Sequence, residues 1–344
     1  MNVLLTCAGR RNYLVRYFRS VVNPVGGRIL AVDASQDAPA LQEADFASTM
    51  PRVDDEAYIS TIVEFIAKHR IRLVVSLNDL ELPVLAKAKE PIRAAGAIPV
   101  VPTPWVVEVC QDKWRTVEWL KKVGIPVPRT WLGSSEAEQA LNQGEAEFPL
   151  VVKPRRGSAS SGVYRVQDPT ELRAAATLIR GAADPAAGTA QAGDAPDEVV
   201  LVQEALPGDE YGMDVVNDLD GEHVVTWVRR KLRMRAGETD RAETVNHPEI
   251  ESLGARIGSE LGHVGNLDAD VFLTPDGPKV LELNVRFGGG YPFSHEAGAN
   301  LPAALVAWAA DQPVDSEWLR IEIGRVFAKT VRLVSCRLQP SVHA

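Results

Sequence analysis

The sequence predicts an α/β protein that opens with a parallel sheet and continues into two mixed α+β lobes. Three observations lead there. Short apolar runs alternate with amphipathic helical stretches through the first hundred positions. The pair of prolines in Pro102-Thr103-Pro104 then ends that alternation. Beyond it come two hairpin-like patterns, one around a Gly/Ser-rich loop and one around Thr274-Pro275-Asp276-Gly277.

The first segment, 1–101, carries strands at Val3–Cys7, Ile29–Val32, Leu73–Leu77 and Ile98–Val101. Helices are expected between them at Arg11–Val22, Tyr58–His69 and Leu82–Ala95. The first of these has Leu14, Val15, Phe18, Val21 and Val22 at helical spacing. Apolar strands joined by helices imply a parallel sheet covered on both faces. Ligands bind beyond the carboxyl ends of such strands, here near Gly9, Asp33 and Asn78-Asp79. The turn Thr6-Cys7-Ala8-Gly9-Arg10-Arg11 lacks the Gly-x-Gly-x-x-Gly pattern, which argues against a dinucleotide site even though Asp33 follows the second strand.

The second segment, 102–205, should hold a helix from Asp112 to Lys122, strands at Leu150–Lys153, Gly162–Val166 and Val199–Gln203, and a helix at Thr170–Arg180. Residues 181–197 are rich in Ala, Gly, Asp and Pro and read as a mobile surface insertion without function. Segments 206–313 and 314–344 follow as a large lobe and a carboxy-terminal extension.

Composition sets the class. The 344 residues are 45% hydrophobic and 24% charged, which suits two or three globular domains. A net charge of -9 argues against non-specific nucleic-acid binding. Cys7, Cys110 and Cys336 are odd in number and widely spaced, so reduced thiols in a cytoplasm are expected. The start of the chain lacks a signal-peptide pattern, and no apolar run approaches the roughly 18 residues a membrane span needs. The expectation is a cytoplasmic protein with neither membrane nor nucleic-acid partners, able to form a homodimer.

Chemistry concentrates between Asp270 and Arg286. Pro275-Asp276-Gly277 reads as a three-residue hairpin loop with a bulge. That choice sets Thr274 opposite Pro278, Phe272 opposite Val280 and Asp270 opposite Glu282. Period-two alternation then puts Asp270, Glu282 and Asn284 on one face, and a two-residue loop would point Asp270 away. Two carboxylates and an amide oxygen are hard ligands suited to magnesium or manganese. If the strand runs as far as Arg286, that residue shares their parity and would contact a phosphoryl oxygen. The plainer alternative is a solvated charge cluster, which the apolar flanking strands disfavour.

Other pieces are weaker alone. Lys153 precedes Pro154-Arg155-Arg156-Gly157-Ser158-Ala159-Ser160-Ser161-Gly162, where small residues including Ser158 and Gly162 would let backbone amides approach a polyphosphate. Taken alone, a plain hairpin turn is the better account of it. In Gln203-Glu204-Ala205-Leu206-Pro207-Gly208-Asp209-Glu210, backbone groups at Glu204 and Leu206 and the acid of Glu210 suit a base and a sugar, or simply a solvated loop. Asp112 is a good helix cap and precedes Lys113. Arg229, Arg230, Lys231, Arg233 and Arg235 form a basic run that is either a solvated strand or a source of Lys231 or Arg233 for an anionic group. His295, after the glycine run, is a candidate base.

In this order the marks resemble the ATP-grasp superfamily: Asp112-Lys113, Val151-Val152-Lys153-Pro154, Gln203 to Glu210, Asp270, and Glu282-Leu283-Asn284-Val285-Arg286. The resemblance covers roughly 102–311. Asn284-Val285-Arg286 followed by Gly288-Gly289-Gly290 is most similar to the branch of carbamoyl-phosphate synthase and biotin carboxylase. The D-alanine ligases carry an arginine two residues before the metal acid, where this chain has Asp268.

The resemblance implies two lobes clamping ATP, with Lys113 and Lys153 on phosphates. Adenine would lie on backbone of Glu204 and Leu206, ribose on Glu210, and two Mg2+ or Mn2+ ions on Asp270, Glu282 and Asn284. It implies a ligase that activates a small-molecule carboxylate as an acyl phosphate for attack by an amine, releasing ADP and phosphate. A bicarbonate-using carboxylase or a small-molecule kinase is the alternative on the same fold.

Overall fold

In the computed structural model, residues 1–157, 161–185, 188–191 and 193–336 are described. The opening alternation folds as β1 (Asn2–Thr6), α1 (Asn12–Val22), β2 (Ile29–Asp33), β3 (Phe46–Thr49), α2 (Tyr58–His69), β4 (Ile71–Ser76), α3 (Leu82–Lys87), α4 (Lys89–Ala94) and β5 (Ile98–Val100). The strands form one parallel sheet in the order β3-β2-β1-β4-β5. Two details differ from expectation. β3 is an edge strand with no fully buried residue, so it lacks the apolar run that marks its neighbours. The single helix expected over Leu82–Ala95 is two, because Pro91 has no N–H to bond one turn back and the ladder breaks near Ala88.

Winding reverses between β1 and β4, which opens a crevice at their carboxyl ends. Cys7 to Arg11 and Leu77 to Leu80 line it. Asp33 is not free for a ribose: its carboxylate accepts the Gly9 N–H at 2.8 Å and the Ser35 N–H at 2.9 Å, shaping the first turn.

Next come α5 (Pro104–Gln111) and α6 (Lys113–Lys122). The double proline starts a helix as well as ending a strand: Thr103 caps α5 through the Val106 N–H, and Pro104 takes its first turn. Then β6 (Thr130–Leu132), α7 (Ser134–Asn142), β7 (Leu150–Pro154), β8 (Tyr164–Val166), α8 (Pro169–Gly181) and β9 (Val200–Glu204) make an antiparallel sheet in the order β6-β9-β7-β8. Leu150, Val152, Leu172, Ala176, Val200 and Val202 form its core.

The remaining strands are β10 (Asp209–Asn217), β11 (His223–Arg235), β12 (Glu238–Val245), β13 (Gly265–Thr274), β14 (Gly277–Asn284) and, after two helices, β15 (Val326–Ala328). They form a six-stranded antiparallel sheet in the order β14-β13-β10-β11-β12-β15. α9 (Pro248–Leu261) covers one face, and its Ile250 and Ile257 share a core with Met213, Val215, Ala269 and Val271. α10 (Tyr291–Glu296) and α11 (Leu301–Trp308) pack Tyr291, Leu301 and Leu305 with Phe18 and Leu14 of α1. The first sheet and the large sheet therefore share apolar cores. Among the described residues no helix is long and apolar enough to cross a membrane.

His263 follows α9 and is fully buried. Its Nε2 meets the Val215 carbonyl at 3.0 Å and its Nδ1 has no hydrogen-bond partner among the described residues. Burial depresses its pKa to about 4, below the 6.5 of a free imidazole. A depressed histidine stabilises the fold above the unfolded pKa and loses that contribution as pH falls toward the folded one. Chemical denaturation of wild type is thus expected to lose about 3 kcal/mol from this residue between pH 6.5 and 4. His263→Gln should show a clearly flatter pH dependence in that window, and an unchanged slope would assign the acid sensitivity elsewhere.

Candidate active site

The hairpin between β13 and β14 is tighter than its sequence suggests. Thr274 pairs with Gly277, Leu273 with Pro278, Phe272 with Lys279 and Val271 with Val280, so only Pro275 and Asp276 form the connection. The expected Thr274–Pro278 and Phe272–Val280 pairs are corrected accordingly. The Thr274 hydroxyl accepts the Asp276 N–H at 3.2 Å and donates to the Gly277 carbonyl at 2.8 Å, which stabilises the short turn. A register shift between Asp270 and Val271 leaves Leu281 as the extra residue of a β-bulge. The bulge restores the alternation that the short loop would have reversed. Asp270 pairs with Glu282 and Asp268 with Asn284.

Lysines from three elements meet this face. Lys231, on β11, donates to Asp270 Oδ1 and Glu210 Oε1, each at 2.6 Å. Lys153, at the end of β7, is buried, and burial lowers its pKa to about 8 against the pull of Glu282. Lys113, at the start of α6, donates to the Gly157 carbonyl. Burial would raise the Glu282 carboxyl, but Lys113, Lys153 and Lys231 together hold it below its ordinary value. Burial pushes Asp270 up to about 7, opposed by Lys231 and reinforced by Asp268, Glu282 and Glu210. Lys231 itself is raised, since Asp270 and Glu210 together outweigh burial.

Among the described residues no three carboxylate, histidine or cysteine side chains gather as a metal group. The donor set is instead two carboxylates and the Asn284 amide, whose Nδ2 lies 3.5 Å from Glu282 Oε1. Those oxygens fit a hard divalent cation. The ammonium of Lys231 between Asp270 and Glu210 shows that this face takes positive charge.

Arg286 lies just past β14 and donates Nη2 to Asp79 Oδ2 at 2.9 Å, tying the large sheet to the loop after β4. Sequence reading passed over a second guanidinium, Arg229, of which 1% is exposed. It donates Nη1 to Asp214 Oδ2 at 2.6 Å and Nη2 to Asp268 Oδ1. The signal was an aspartate inside the apolar strand Met213-Asp214-Val215-Val216, because a buried acid needs a cationic partner.

The structure does not bring His295 to this face. Its ring stacks on Tyr17 of α1 at 3.5 Å between centroids, and its Nδ1 lies 3.1 Å from the Tyr291 hydroxyl. Burial lowers its pKa to about 4. It packs α10 onto the first domain, and the expectation of a base there is withdrawn.

Glu204 ends β9, with its carboxylate bonded to Arg129 Nε at 2.9 Å and Lys279 Nζ at 2.7 Å. Its N–H donates to the Arg129 carbonyl. Leu206 follows in the connection to β10, where Gly208 at φ +105 packs so tightly that a Cβ would lie 2.0 Å from the Leu273 carbonyl oxygen. Gly162 borders the cleft at φ +71, whereas Ser158 lies outside the described residues.

A cleft of about 860 Å³ opens in front of the β13–β14 face, and Lys153, Glu204, Leu206 and Glu210 are not among the residues that line it. Its walls include Arg10, Asp79, Lys113, Asp270, Glu282 and Arg286. Part of the 181–197 stretch also lines it, contrary to the reading of that stretch as a mobile surface segment. Arg156 bonds Asp194 at 2.5 Å and Gln191 at 3.0 Å, and also Asp112, the cap of α6, at 2.7 Å. Gly188 abuts Leu80 of the first domain. Composition alone conceals this, since the segment is held by ion pairs and small-residue contacts.

Comparison with known proteins agrees with this architecture. Residues 3–101 match the family described as PylC-like, N-terminal domain, and residues 197–326 the family described as ATP-grasp in the biosynthetic pathway with Ter operon. Through residues 197–326 the chain carries an ATP-grasp domain. The expected ATP-grasp architecture behind a parallel α/β domain is thereby borne out. A trifunctional purine biosynthetic protein adenosine-3 of Gallus gallus is 28% identical over 252 residues, covering 67% of this chain and 24% of that protein. A D-alanine–D-alanine ligase of Mycolicibacterium smegmatis is 30% identical over 227 residues, 57% of this chain and 56% of that one. The chain thus spans between 24% and 56% of the length of these relatives. A biotin carboxylase from Campylobacter jejuni, solved as a β,γ-ATP complex, superimposes with a TM-score of 0.74 at 16% identity, over 94% of this chain and 74% of that one. At that identity the likeness is one of fold.

Proposed function

We propose that this ATP-grasp chain is an ADP-forming ligase that joins a small-molecule carboxylate to an amine. The observation that carries the proposal is the β13–β14 face, where Asp270, Glu282 and Asn284 look toward Lys113, Lys153 and Lys231 from other elements. Acids for a divalent cation opposite cations for a polyphosphate suit a metal-bound nucleotide. The D-alanine–D-alanine ligase relative supports an amine as the acceptor.

In this reading 102–205 and 206–313 are lobes that close on ATP, while 1–101 supplies the acceptor side and 314–344 is an appendage. Asp270, Glu282 and Asn284 would hold Mg2+ or Mn2+, two ions in all, and the metal would neutralise phosphate charge. Lys113 and Lys153 bind phosphate oxygens, with Lys153 gaining the anionic partner that its depressed pKa lacks. The Glu204 N–H is occupied by Arg129, so Glu204 offers adenine its carbonyl, and Leu206 its N–H. Glu210 receives the ribose hydroxyls once Lys231 turns to the γ-phosphoryl group. Arg286 orients the carboxylate whose oxygen takes that phosphoryl group. The product is an acyl phosphate and ADP. Attack by the amine on the acyl carbon forms the C–N bond and expels phosphate, a step that a poor electrophile such as a free carboxylate does not allow.

Incubation with Mg-ATP and a panel of acid and amine pairs, amino acids foremost, should release ADP with a condensation product visible by mass spectrometry. Release of AMP would overturn the acyl-phosphate mechanism. ADP release that needs bicarbonate and no amine would assign a carboxylase, and a stable phosphorylated product a kinase.

A further inference from the structure

Asp268 lies on the same face of β13 as Asp270, one alternation toward the strand's start, and pairs across the ladder with Asn284. It borders the cleft with Arg286. Its Oδ1 is held by Arg229, which reaches from β11 across β10. The crossing needs Gly212, the residue of β10 paired with Arg229, because a Cβ there would lie 2.8 Å from Arg229 Nε. Asp214 fixes the guanidinium from below and is itself bonded by Ser294 at 2.6 Å and Asn266 at 3.1 Å.

The glycine run after Arg286 is pressed against this pair. A Cβ at Gly288 would come within 2.1 Å of the Asp268 carboxyl carbon, and one at Gly290 within 1.9 Å of Arg229 Nη2. Both side chains are thus locked in one orientation. Yet Asp268 keeps 14% of its side-chain surface open, and its Oδ2 has no hydrogen bond among the described residues. A purely structural ion pair in so crowded a place would bury both oxygens. Here one oxygen is held by Arg229, while the residue still borders the cleft beside the metal face.

We propose that Asp268 is the docking group for the incoming amine, and that Arg229 is its positioning residue. The class of ligand is a primary amine, such as the amino group of an amino acid. The carboxylate attracts the cationic nitrogen and aims it at a neighbouring acyl phosphate. The nitrogen gives up a proton to become the nucleophile, and its lone pair forms the C–N bond as the C–O bond to phosphate breaks. The departing phosphate is the proton acceptor that the reaction supplies. The inference rests on the ligase reading given above.

The test compares two acceptors on the full chain, using the acid that gives turnover in the panel. Hydroxylamine, small and uncharged near neutral pH, traps an acyl phosphate as a coloured hydroxamate without a cationic docking site. In Asp268→Asn, KM for the cognate amine should rise about 30-fold or more, the size of a lost charged hydrogen bond. Hydroxamate formation should fall far less in the same variant. Arg229→Lys should move amine KM in the same direction. Parallel loss of ligation and hydroxamate would overturn the inference and leave Asp268 as a counter-ion of Arg229, and so would an unchanged amine KM. A wild-type enzyme that forms no hydroxamate from any acid would remove the ligase reading, and the docking role with it.

Discussion

Glu282→Gln is expected to lower ATP-dependent turnover by about a thousandfold or more, roughly 4 kcal/mol of transition-state stabilisation, while leaving the fold intact. The substitution keeps the shape of the side chain and one oxygen. It removes the charge that faces Lys113, Lys153 and Lys231 and the stronger of two acids beside Asn284. Because the three lysines hold the Glu282 carboxyl below its ordinary value, its charge adds stability, so the melting temperature without nucleotide should fall by several degrees while the cooperative transition persists. The shift produced by Mg-ATP should disappear. Turnover within tenfold of wild type would exclude Glu282 as a metal ligand. Asp270 adds a pH signature. Its pKa is raised to about 7, so its proton stabilises the fold at low pH, and that contribution is lost as pH rises through 7. In the proposed site, magnesium would take the place of that proton. Stabilisation by Mg2+ alone should therefore grow between pH 6 and 8, and Asp270→Asn should flatten that trend.

What was legible in the sequence was the parity of one strand pair. Asp270, Glu282 and Asn284 share a face because alternation is a local property of extended chain, whereas Arg286 lies beyond the end of β14 at Asn284, so strand parity does not place it. The loop was misjudged, and the bulge at Leu281 compensated for the error, since two defects of one residue each cancel. Contacts across the sheet were not legible. Arg229 meets Asp268 only because β10 lies between their strands and carries Gly212 at the crossing, and strand order is not written in any one segment. His295 shows the reverse case. Its position after the glycine run suggested chemistry, but the residue that defines its environment, Tyr17, lies in the first helix of another domain. The 181–197 stretch was misread for a third reason. Its lack of large apolar residues ruled out a packed core and said nothing of the ion pair between Arg156 and Asp194.

Arg286→Lys should reduce ligation about a hundredfold although it conserves charge. The guanidinium meets three groups at once: Asp79 Oδ2 at 2.9 Å, Asn284 Oδ1 at 3.4 Å and the Phe287 carbonyl at 3.4 Å. A planar fork satisfies such a set, whereas an ammonium is a single point of charge on a flexible stem. Two roles are compatible with that geometry. Arg286 either ties the first domain to the large sheet, or holds the carboxylate and its transferred phosphoryl group. Asp79→Asn separates them, because it breaks the charge pairing with the first domain and leaves the arginine free. If tethering matters, Asp79→Asn and Arg286→Lys should lose activity and melting temperature together. If substrate contact matters, Asp79→Asn should keep activity within about tenfold while Arg286→Lys raises KM for the carboxylate and lowers kcat. The second pattern is expected. Arg286 is 10% exposed at its side chain and Asp79 25%, and both open onto the cleft, which is where a carboxylate would displace Asp79 from the guanidinium.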